Sequence, residues 1–229
     1  MAIILNIETA TSVCSVALTD GGQVVFSEEA TSLNAHSALL TVIIERILQE
    51  SGIPLDAIAV SAGPGSYTGL RIGMSAAKGL AYSLDLPLIS IGTLEVMAQG
   101  IIEALRPQNN VMLAPMIDAR RMEVYTALYS NALEELSKPA AVVVDESIFI
   151  DKDQGVEIWY FGDGAVKCMN ILAGRQGLSF ISKFEMRAAN MAILAEKKFK
   201  QKQFVDIAIA EPLYIKEFVS GTPNVKGLT

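Results

Sequence analysis

The sequence is poor in cysteine and histidine, and these two shortages exclude several kinds of site. Its 229 residues include two cysteines, Cys14 and Cys168, and one histidine, His36. Two sparse cysteines support neither a disulfide framework nor a thiolate metal cluster, so we expect a protein of the reducing cytoplasm. A lone histidine lacks the orienting partners of a catalytic triad. We therefore predict no catalytic residue and no metal site.

Positive charge and long apolar runs are also scarce. Eighteen Lys and Arg residues against 25 Asp and Glu residues give a net charge of −7. Because phosphate contacts dominate nucleic-acid affinity, we expect the chain to meet nucleic acid only through a partner that supplies the positive surface. No apolar run reaches the roughly 18 residues of a membrane helix. The N-terminus has no basic leader and predicts a first strand rather than a signal peptide, so no membrane partner is expected.

The apolar pattern of the chain is that of a packed α/β protein, since 51% of its residues are apolar. In the first half the spacing predicts the order β-β-β-α-β-α-β-α. The predicted strands are 3–7, 12–18, 24–26, 57–62 and 88–91. Helical spacing covers 39–48, a second helix follows the glycine segment and ends at about Leu84, and a third, which Thr93 could cap, ends at about Leu105. The second half begins again in the same way, with strands 111–117, 122–129 and 158–161 and a helix after 162–165. This repeated order indicates an internal duplication, with a boundary near the polar stretch Arg106–Asn110.

The most informative segment is Gly63–Gly73, which reads Gly-Pro-Gly-Ser-Tyr-Thr-Gly-Leu-Arg-Ile-Gly between an apolar strand and a helix. Converging backbone N–H groups beside a helix N-terminus favour a phosphate. The alternative is that the glycines allow close packing of chain segments. The segment is neither a Walker loop, which ends in Lys-Ser/Thr, nor a Rossmann fingerprint in the first βα turn. Both interpretations stay open.

Shorter motifs surround this segment in a characteristic order. They are Ile7-Glu8-Thr9-Ala10-Thr11, Ala77-Lys78-Gly79-Leu80-Ala81, Ile117–Tyr125, Gly162-Asp163-Gly164-Ala165 and Pro212-Leu213-Tyr214-Ile215-Lys216. Together with the glycine segment they resemble the bacterial TsaB family, once called YeaZ, of tRNA threonylcarbamoyladenosine biosynthesis proteins. The resemblance extends from Ile3 to about Lys216, which is nearly the whole chain.

The resemblance implies an α/β fold of duplicated actin/RNase H-like lobes, the ASKHA fold. Each lobe is a mixed sheet with helices, and the second lobe is reduced. We accordingly predict an N-terminal, partner-binding lobe at residues 1–106, a C-terminal lobe at 107–220 and a flexible tail at 221–229. In this superfamily nucleotide phosphates lie between the two lobes.

The same resemblance places a phosphate or nucleotide site at the turns that face each other across the lobes. The candidate residues are Glu8, Thr9, Gly63, Gly65, Ser66, Asp118, Gly162 and Gly164. Two of them complicate the prediction. Glu8 stands where most relatives have Asp, and Asp118 is followed by Arg120 and Arg121. We expect a structural ion pair of Asp118 with these arginines, although carboxylates after strands also suit magnesium or general-base work.

A comparison with the catalytic sister family, TsaD, bears on the metal prediction. That family carries a His-x-Glu-x-His motif where this chain reads Thr93-Leu94-Glu95-Val96-Met97. Glu95 remains, but Thr93 and Met97 fill the two histidine positions. Neither a hydroxyl nor a thioether replaces imidazole for iron or zinc. We expect the purified protein to carry no stoichiometric, tightly bound iron or zinc.

Two helices carry the residues that we predict to meet a partner. Small residues at helical spacing allow helices to approach closely. The alternative is that the lobe buries both helices in its own core. The predicted interface residues are His36, Leu40, Ile43, Ile47, Gly69, Leu70, Gly73, Ala76, Ala77 and Leu80.

The resemblance implies a non-catalytic scaffold subunit that dimerises with TsaD and works with the TsaE ATPase. The complex transfers a threonylcarbamoyl group to the adenosine next to the anticodon of tRNAs reading ANN codons. The resemblance adds a weak homodimer of the chain alone and no tightly bound cofactor, and it leaves ATP or ADP open at the interface of the complex. The alternative is a stand-alone ATP-dependent phosphotransferase or a peptidase-like hydrolase of the same superfamily.

Overall fold

The computed structural model describes residues 1–31, 35–149 and 155–216. The predicted tail at 221–229 lies outside these residues. Within the described ranges no helix is long and apolar enough to cross a membrane.

The first half of the chain forms a five-stranded sheet with helices. The strands are β1 (Ile3–Glu8), β2 (Cys14–Asp20), β3 (Gln23–Ala30), β4 (Ala57–Ser61) and β5 (Leu88–Ile91), and the helices are α1 (Ala35–Ser51), α2 (Tyr67–Leu84) and α3 (Thr93–Leu105). The spatial order is β3-β2-β1-β4-β5. β1 pairs antiparallel with β2 and parallel with β4. Strands β1, β2 and β4 are buried almost throughout because layers cover both their faces, whereas the edge strand β3 alternates between exposed and half-buried residues.

The second half repeats this architecture. Its strands are β6 (Val111–Asp118), β7 (Glu123–Ser130), β8 (Glu135–Val143), β9 (Glu157–Phe161) and β10 (Leu178–Ile181), and its helices are α4 (Asp163–Val166) and α5 (Met169–Leu172). The order β8-β7-β6-β9-β10 matches that of the first sheet, with the same antiparallel and parallel pairings. The duplication and the reduced second lobe are therefore confirmed. α4 has four residues where α2 has eighteen.

The end of the chain returns to the first sheet. A 3-10 turn (Ala188–Met191) leads into α6 (Ala192–Lys200). The Ala188 N–H donates to the Ser15 hydroxyl of β2 at 3.1 Å. Residues from both sheets, α3 and α6 share one hydrophobic cluster, so the two lobes have a common core. Residues 188–200, which the predicted boundary assigns to the second lobe, thus pack against the first.

Candidate functional site

The glycine segment begins α2 and is capped from within. Ser66 is the N-cap residue, and its hydroxyl accepts the Gly69 N–H at 3.2 Å. The Gly63 N–H donates to the Thr93 hydroxyl at 3.0 Å, and the Thr93 N–H donates back to the Gly63 carbonyl at 2.9 Å. The Ser66 N–H donates to the Ala10 carbonyl at 2.7 Å. Three of the donors that a phosphate would need are therefore engaged by the chain itself.

The turn after β1 occupies the space that the glycines leave open. A Cβ built on Gly65 would lie 2.4 Å from the Ala10 carbonyl oxygen, and one on Gly69 would lie 2.1 Å from that of Thr9. On Gly73 it would lie 2.1 Å from the Thr9 hydroxyl, which donates to the Gly69 carbonyl at 2.8 Å. The predicted residues Thr9, Gly65 and Ser66 are thus brought together. Their contacts favour the close-packing interpretation of the glycine segment.

The second lobe repeats this packing at its own glycine turn. Gly162 has a φ of 103°, and a Cβ there would lie 2.3 Å from the Met116 carbonyl oxygen. A Cβ on Gly164 would lie 2.7 Å from the Ile117 carbonyl carbon. Between them, Asp163 accepts the Asp118 N–H at 3.1 Å, and burial raises the pKa of Asp163. In both lobes, the glycines after the fourth strand let the chain approach the end of the first strand.

The carboxyl group of Glu8 is completely buried beside the first of these turns. One oxygen accepts the Ala10 N–H at 2.6 Å, and the other has no hydrogen-bond partner within the described residues. Burial raises the pKa of Glu8 to about 7, although the Ser61 hydroxyl and the Ala10 N–H act in the opposite direction. Near neutral pH a large fraction of Glu8 is therefore protonated, which weakens it as a ligand for magnesium.

Asp118 forms an ion pair, but its partner is not the predicted one. Its carboxylate pairs with the Lys167 ammonium rather than with Arg120 or Arg121. The Arg120 backbone N–H also donates to it at 2.9 Å. Burial by itself would raise the pKa of Asp118, but the bonds from Lys167 and Arg120 and their positive charges together lower it. The expected arginine pairing is wrong because the Lys167 ammonium, from the segment after α4, occupies the carboxylate instead.

The motif Pro212–Lys216 joins the two lobes, a role that the sequence did not suggest. The Leu213 N–H donates to the Ala62 carbonyl at 2.7 Å, and the Leu213 carbonyl oxygen would lie 2.8 Å from a Cβ on Gly63. Three residues later, the Lys216 ammonium donates to the Ala119 carbonyl at 3.2 Å and pairs with a carboxylate of the second lobe. The segment Leu213–Lys216 therefore crosses from the glycine turn of one lobe to the β6–β7 turn of the other.

Most of the predicted partner-interface residues lie inside the chain. Seven of the ten are buried: Leu40, Ile43, Ile47, Gly69, Leu70, Gly73 and Ala77. The aliphatic residues of α1 and Ala77 face the sheet in the core of the first lobe, and Gly69 and Gly73 make room for Thr9. Such residues offer no surface in this conformation, and their assignment to a partner interface stays a prediction. His36, Ala76 and Leu80 are half-buried and reach the surface.

An apolar groove lies on the outer side of α1 and α2. It measures about 460 Å³ and is mainly apolar in lining. We call it the α1–α2 groove; its walls include Ile44 and Leu48 of α1 and Ala76, Gly79 and Leu80 of α2. A second depression beside it reaches His36 and Arg71. The spacing of the small residues indicated the α1–α2 pair. The face of α2 that lines the groove, which includes Gly79, is turned slightly around the helix from the predicted stripe.

The metal-related positions serve packing. Thr93 is buried, and its hydroxyl accepts a hydrogen bond from the glycine turn. The buried Met97 side chain packs against Gly162. Throughout the described ranges there is no group of three or more His, Cys, Asp or Glu residues that could hold a metal ion. The absence of bound iron or zinc stays a prediction, which metal analysis of the purified protein tests.

Two lobes with one strand order, a glycine turn after the fourth strand of each and a reduced second lobe define an actin-like ASKHA protein. The family model for TsaD, tRNA N6-adenosine threonylcarbamoyltransferase, matches residues 25–217. The chain belongs to the TsaB (YeaZ) family of this TsaD-like group.

Individual relatives agree over nearly the full chain. The Escherichia coli tRNA threonylcarbamoyladenosine biosynthesis protein TsaB is 33% identical, over 95% of this chain and 96% of its own length. The Bacillus subtilis protein of the same name is 28% identical, over 93% of each chain. The solved structure of YeaZ from Pseudomonas aeruginosa superposes with a TM-score of 0.79 at 25% identity, covering 93% of this chain and all of that one.

Proposed function

We propose that this chain is a non-catalytic subunit in the formation of threonylcarbamoyladenosine in tRNA. The observation that carries the proposal is its 33% identity, over 95% of the chain, to a protein named for that pathway. The catalytic step is then expected in a TsaD partner, with the TsaE ATPase as a further member of the complex. Such a complex works in the cytoplasm and meets tRNA mainly through the partner's surface.

The site supports this proposal over an independent phosphotransferase or hydrolase. A kinase needs an ionised acid and free amide donors at its phosphate turn. Here Glu8 is buried with a raised pKa, and the N–H groups of Gly63, Ser66 and Gly69 are engaged. Asp118 is held by Lys167. Any ATP or ADP is therefore expected at a junction with the partner rather than in this chain alone.

The α1–α2 groove is the surface that we assign to TsaD. It is an apolar depression on the helix pair that the described residues of the lobe leave uncovered, and apolar surface enclosed by polar residues is typical of partner contacts. The same groove accounts for a weak homodimer, since an unoccupied apolar face can pair with a second copy.

Depleting the protein from its source organism should remove threonylcarbamoyladenosine from total tRNA. The modified nucleoside is measured by mass spectrometry of digested tRNA. Re-expression of the parent chain should restore it. Normal levels of the nucleoside in depleted cells would overturn the proposed function.

Gly79→Glu should block both partner docking and self-association without unfolding the chain. A Cβ at Gly79 meets no atom within 4 Å, so the carboxylate projects into the groove, where burial under a partner leaves it unpaired. We expect at least about tenfold weaker TsaD binding by calorimetry, from a penalty above roughly 1.4 kcal/mol. Scattering at high concentration should show monomers only.

Ala104→Glu is the matched control for this substitution. It introduces the same carboxylate on an exposed position of α3, away from the groove. It should bind TsaD like the parent and restore the modified nucleoside in depleted cells. Equal binding by Gly79→Glu and Ala104→Glu would place the partner surface elsewhere.

A further inference from the structure

The β6–β7 turn carries two arginines in a backbone conformation that side chains rarely adopt. Arg120 and Arg121 have φ angles of 66° and 49°, in the left-handed region where glycine is the usual residue. The turn is closed by the Glu123 N–H, which donates to the Arg120 carbonyl at 3.1 Å. Both arginines are exposed. This backbone conformation lowers the stability of the folded state. Residues held in such conformations cluster at functional sites.

Two lysines from distant parts of the chain hold this turn in place. The Lys167 ammonium donates to the Arg121 carbonyl at 2.8 Å and to the Glu123 carbonyl at 2.6 Å, and it pairs with Asp118. The Lys216 ammonium donates to the Ala119 carbonyl and pairs with the Glu123 carboxylate. The turn is therefore fixed by Lys167, directly after α4, on one side and by Lys216 on the other. A fixed turn presents its side chains with little loss of freedom on binding.

The carboxylates around the turn are paired with lysines, so the two guanidinium groups have no ion-pair partner of their own among the described residues. Lys167 and Lys216 are each balanced by a carboxylate, of Asp118 and Glu123 respectively. Within residues 1–31, 35–149 and 155–216, neither Arg120 nor Arg121 forms an ion pair. One carboxylate oxygen of the neighbouring Asp163 accepts the Asp118 N–H. The turn is thus a fixed positive point on a chain whose net charge is −7.

We infer that the Arg120–Arg121 turn binds a phosphodiester of the RNA substrate in the assembled complex. The inference rests on the proposed function, which brings a polyanion to a chain that otherwise repels it. A guanidinium group matches the two free oxygens of a phosphodiester and stays charged at all physiological pH values. The turn lies at the end of β6, beside the crossing of Pro212–Lys216 between the lobes. Such contacts position the nucleic acid and do not read its sequence.

Arg121→Gly separates binding from folding. Glycine adopts the left-handed backbone freely, so this variant should melt at the same temperature as the parent or higher. The matched control is Arg106→Gly, because Arg106 is also exposed, has a φ of 48° and lies at the far end of α3, about 20 Å from the Thr93 end. Both substitutions remove one charge from a left-handed position.

The experiment measures the affinity of the complete complex for tRNA between 50 and 200 mM salt, with complex assembly followed separately by mass. One lost phosphate contact should lower the slope of log affinity against log salt by about 0.7 to 0.9. Raising the salt fourfold weakens tRNA binding by both complexes. The factor by which it weakens the complex with Arg121→Gly should be about threefold smaller than the factor for the parent complex. Arg106→Gly should keep the parent's slope.

Three results would overturn the inference. If the complex with Arg121→Gly keeps the salt slope of the parent complex, the phosphate contact is excluded. Weaker complex assembly with an unchanged slope assigns the turn to an acidic surface of a protein partner instead. If the parent chain itself does not assemble with TsaD, the proposed function fails and the inference fails with it, and the mass measurement identifies this case before any tRNA is added.

Discussion

Replacing Gly69 with alanine should lower the free energy of unfolding by about 3 kcal/mol, which is among the largest effects expected from adding one methyl group. The new Cβ would lie 2.1 Å from the Thr9 carbonyl oxygen. That oxygen is backbone and cannot rotate away, so either the turn after β1 or the start of α2 must move. The Thr9 hydroxyl bond to the Gly69 carbonyl would be strained by the same shift.

Two other glycines of α2 provide an internal scale. At Gly73 the Cβ would lie 2.1 Å from the Thr9 hydroxyl, which is a side-chain atom, so the cost should be smaller than at Gly69. At Gly79 nothing lies within 4 Å, and alanine should stabilise the helix by up to about 1 kcal/mol through its higher propensity. In urea unfolding, Gly69→Ala should therefore be the most destabilised variant, Gly73→Ala the next and Gly79→Ala the least.

The same series decides between the two interpretations of the glycine segment. If the glycines serve packing, added phosphate or ATP should leave the ranking and the differences unchanged. If they form an anion cradle, the parent should gain stability from the anion by mass action and Gly69→Ala should lose that gain. Equal unfolding free energies for Gly69→Ala and Gly79→Ala would contradict the packing that the structure shows.

Local sequence patterns predicted the first lobe well. Its apolar runs are long and cleanly spaced, so the predicted order of strands and helices is the observed one, and the strand Leu88–Ile91 has the predicted bounds. The second lobe was harder to predict. β8 and β10 were not predicted, because their residues are mostly half-buried or exposed and give a weak apolar signal. The helix predicted after Gly162 has only four residues.

Long-range packing limited the prediction of the site. Helical spacing shows which residues share a face, but not which layer covers that face. Ala77 and Ala76 are neighbours in α2, yet one is fully buried on the sheet and the other lines the groove. Likewise, no local pattern shows that Leu213 meets the turn at Gly63 or that Lys167 takes the carboxylate of Asp118. These contacts join segments far apart in sequence.

Glu8→Gln should remove a large part of the pH dependence of stability. Burial raises the pKa of Glu8 from 4.5 to about 7. The folded state then binds a proton that the unfolded state releases, so stability is fully present below pH 4.5 and is lost as the pH rises towards 7. At about 1.36 kcal/mol per pKa unit, the loss is on the order of 3 kcal/mol. The amide of glutamine stays neutral at every pH and mimics the protonated acid.

The difference between Glu8→Gln and the parent is the informative quantity, because other groups titrate in both proteins. It should be near its minimum at pH 4.5 and favour the variant increasingly up to pH 8, below the titration of the neighbouring Cys14 thiol, whose pKa burial raises to about 11. Glu134→Gln, an exposed control, should run parallel to the parent. Parallel curves for Glu8→Gln would show that Glu8 is ionised in the folded protein. A rise in the parent's stability at pH 8 with added Mg²⁺, absent in Glu8→Gln, would instead make Glu8 a metal ligand, since only the ionised carboxylate binds the cation well.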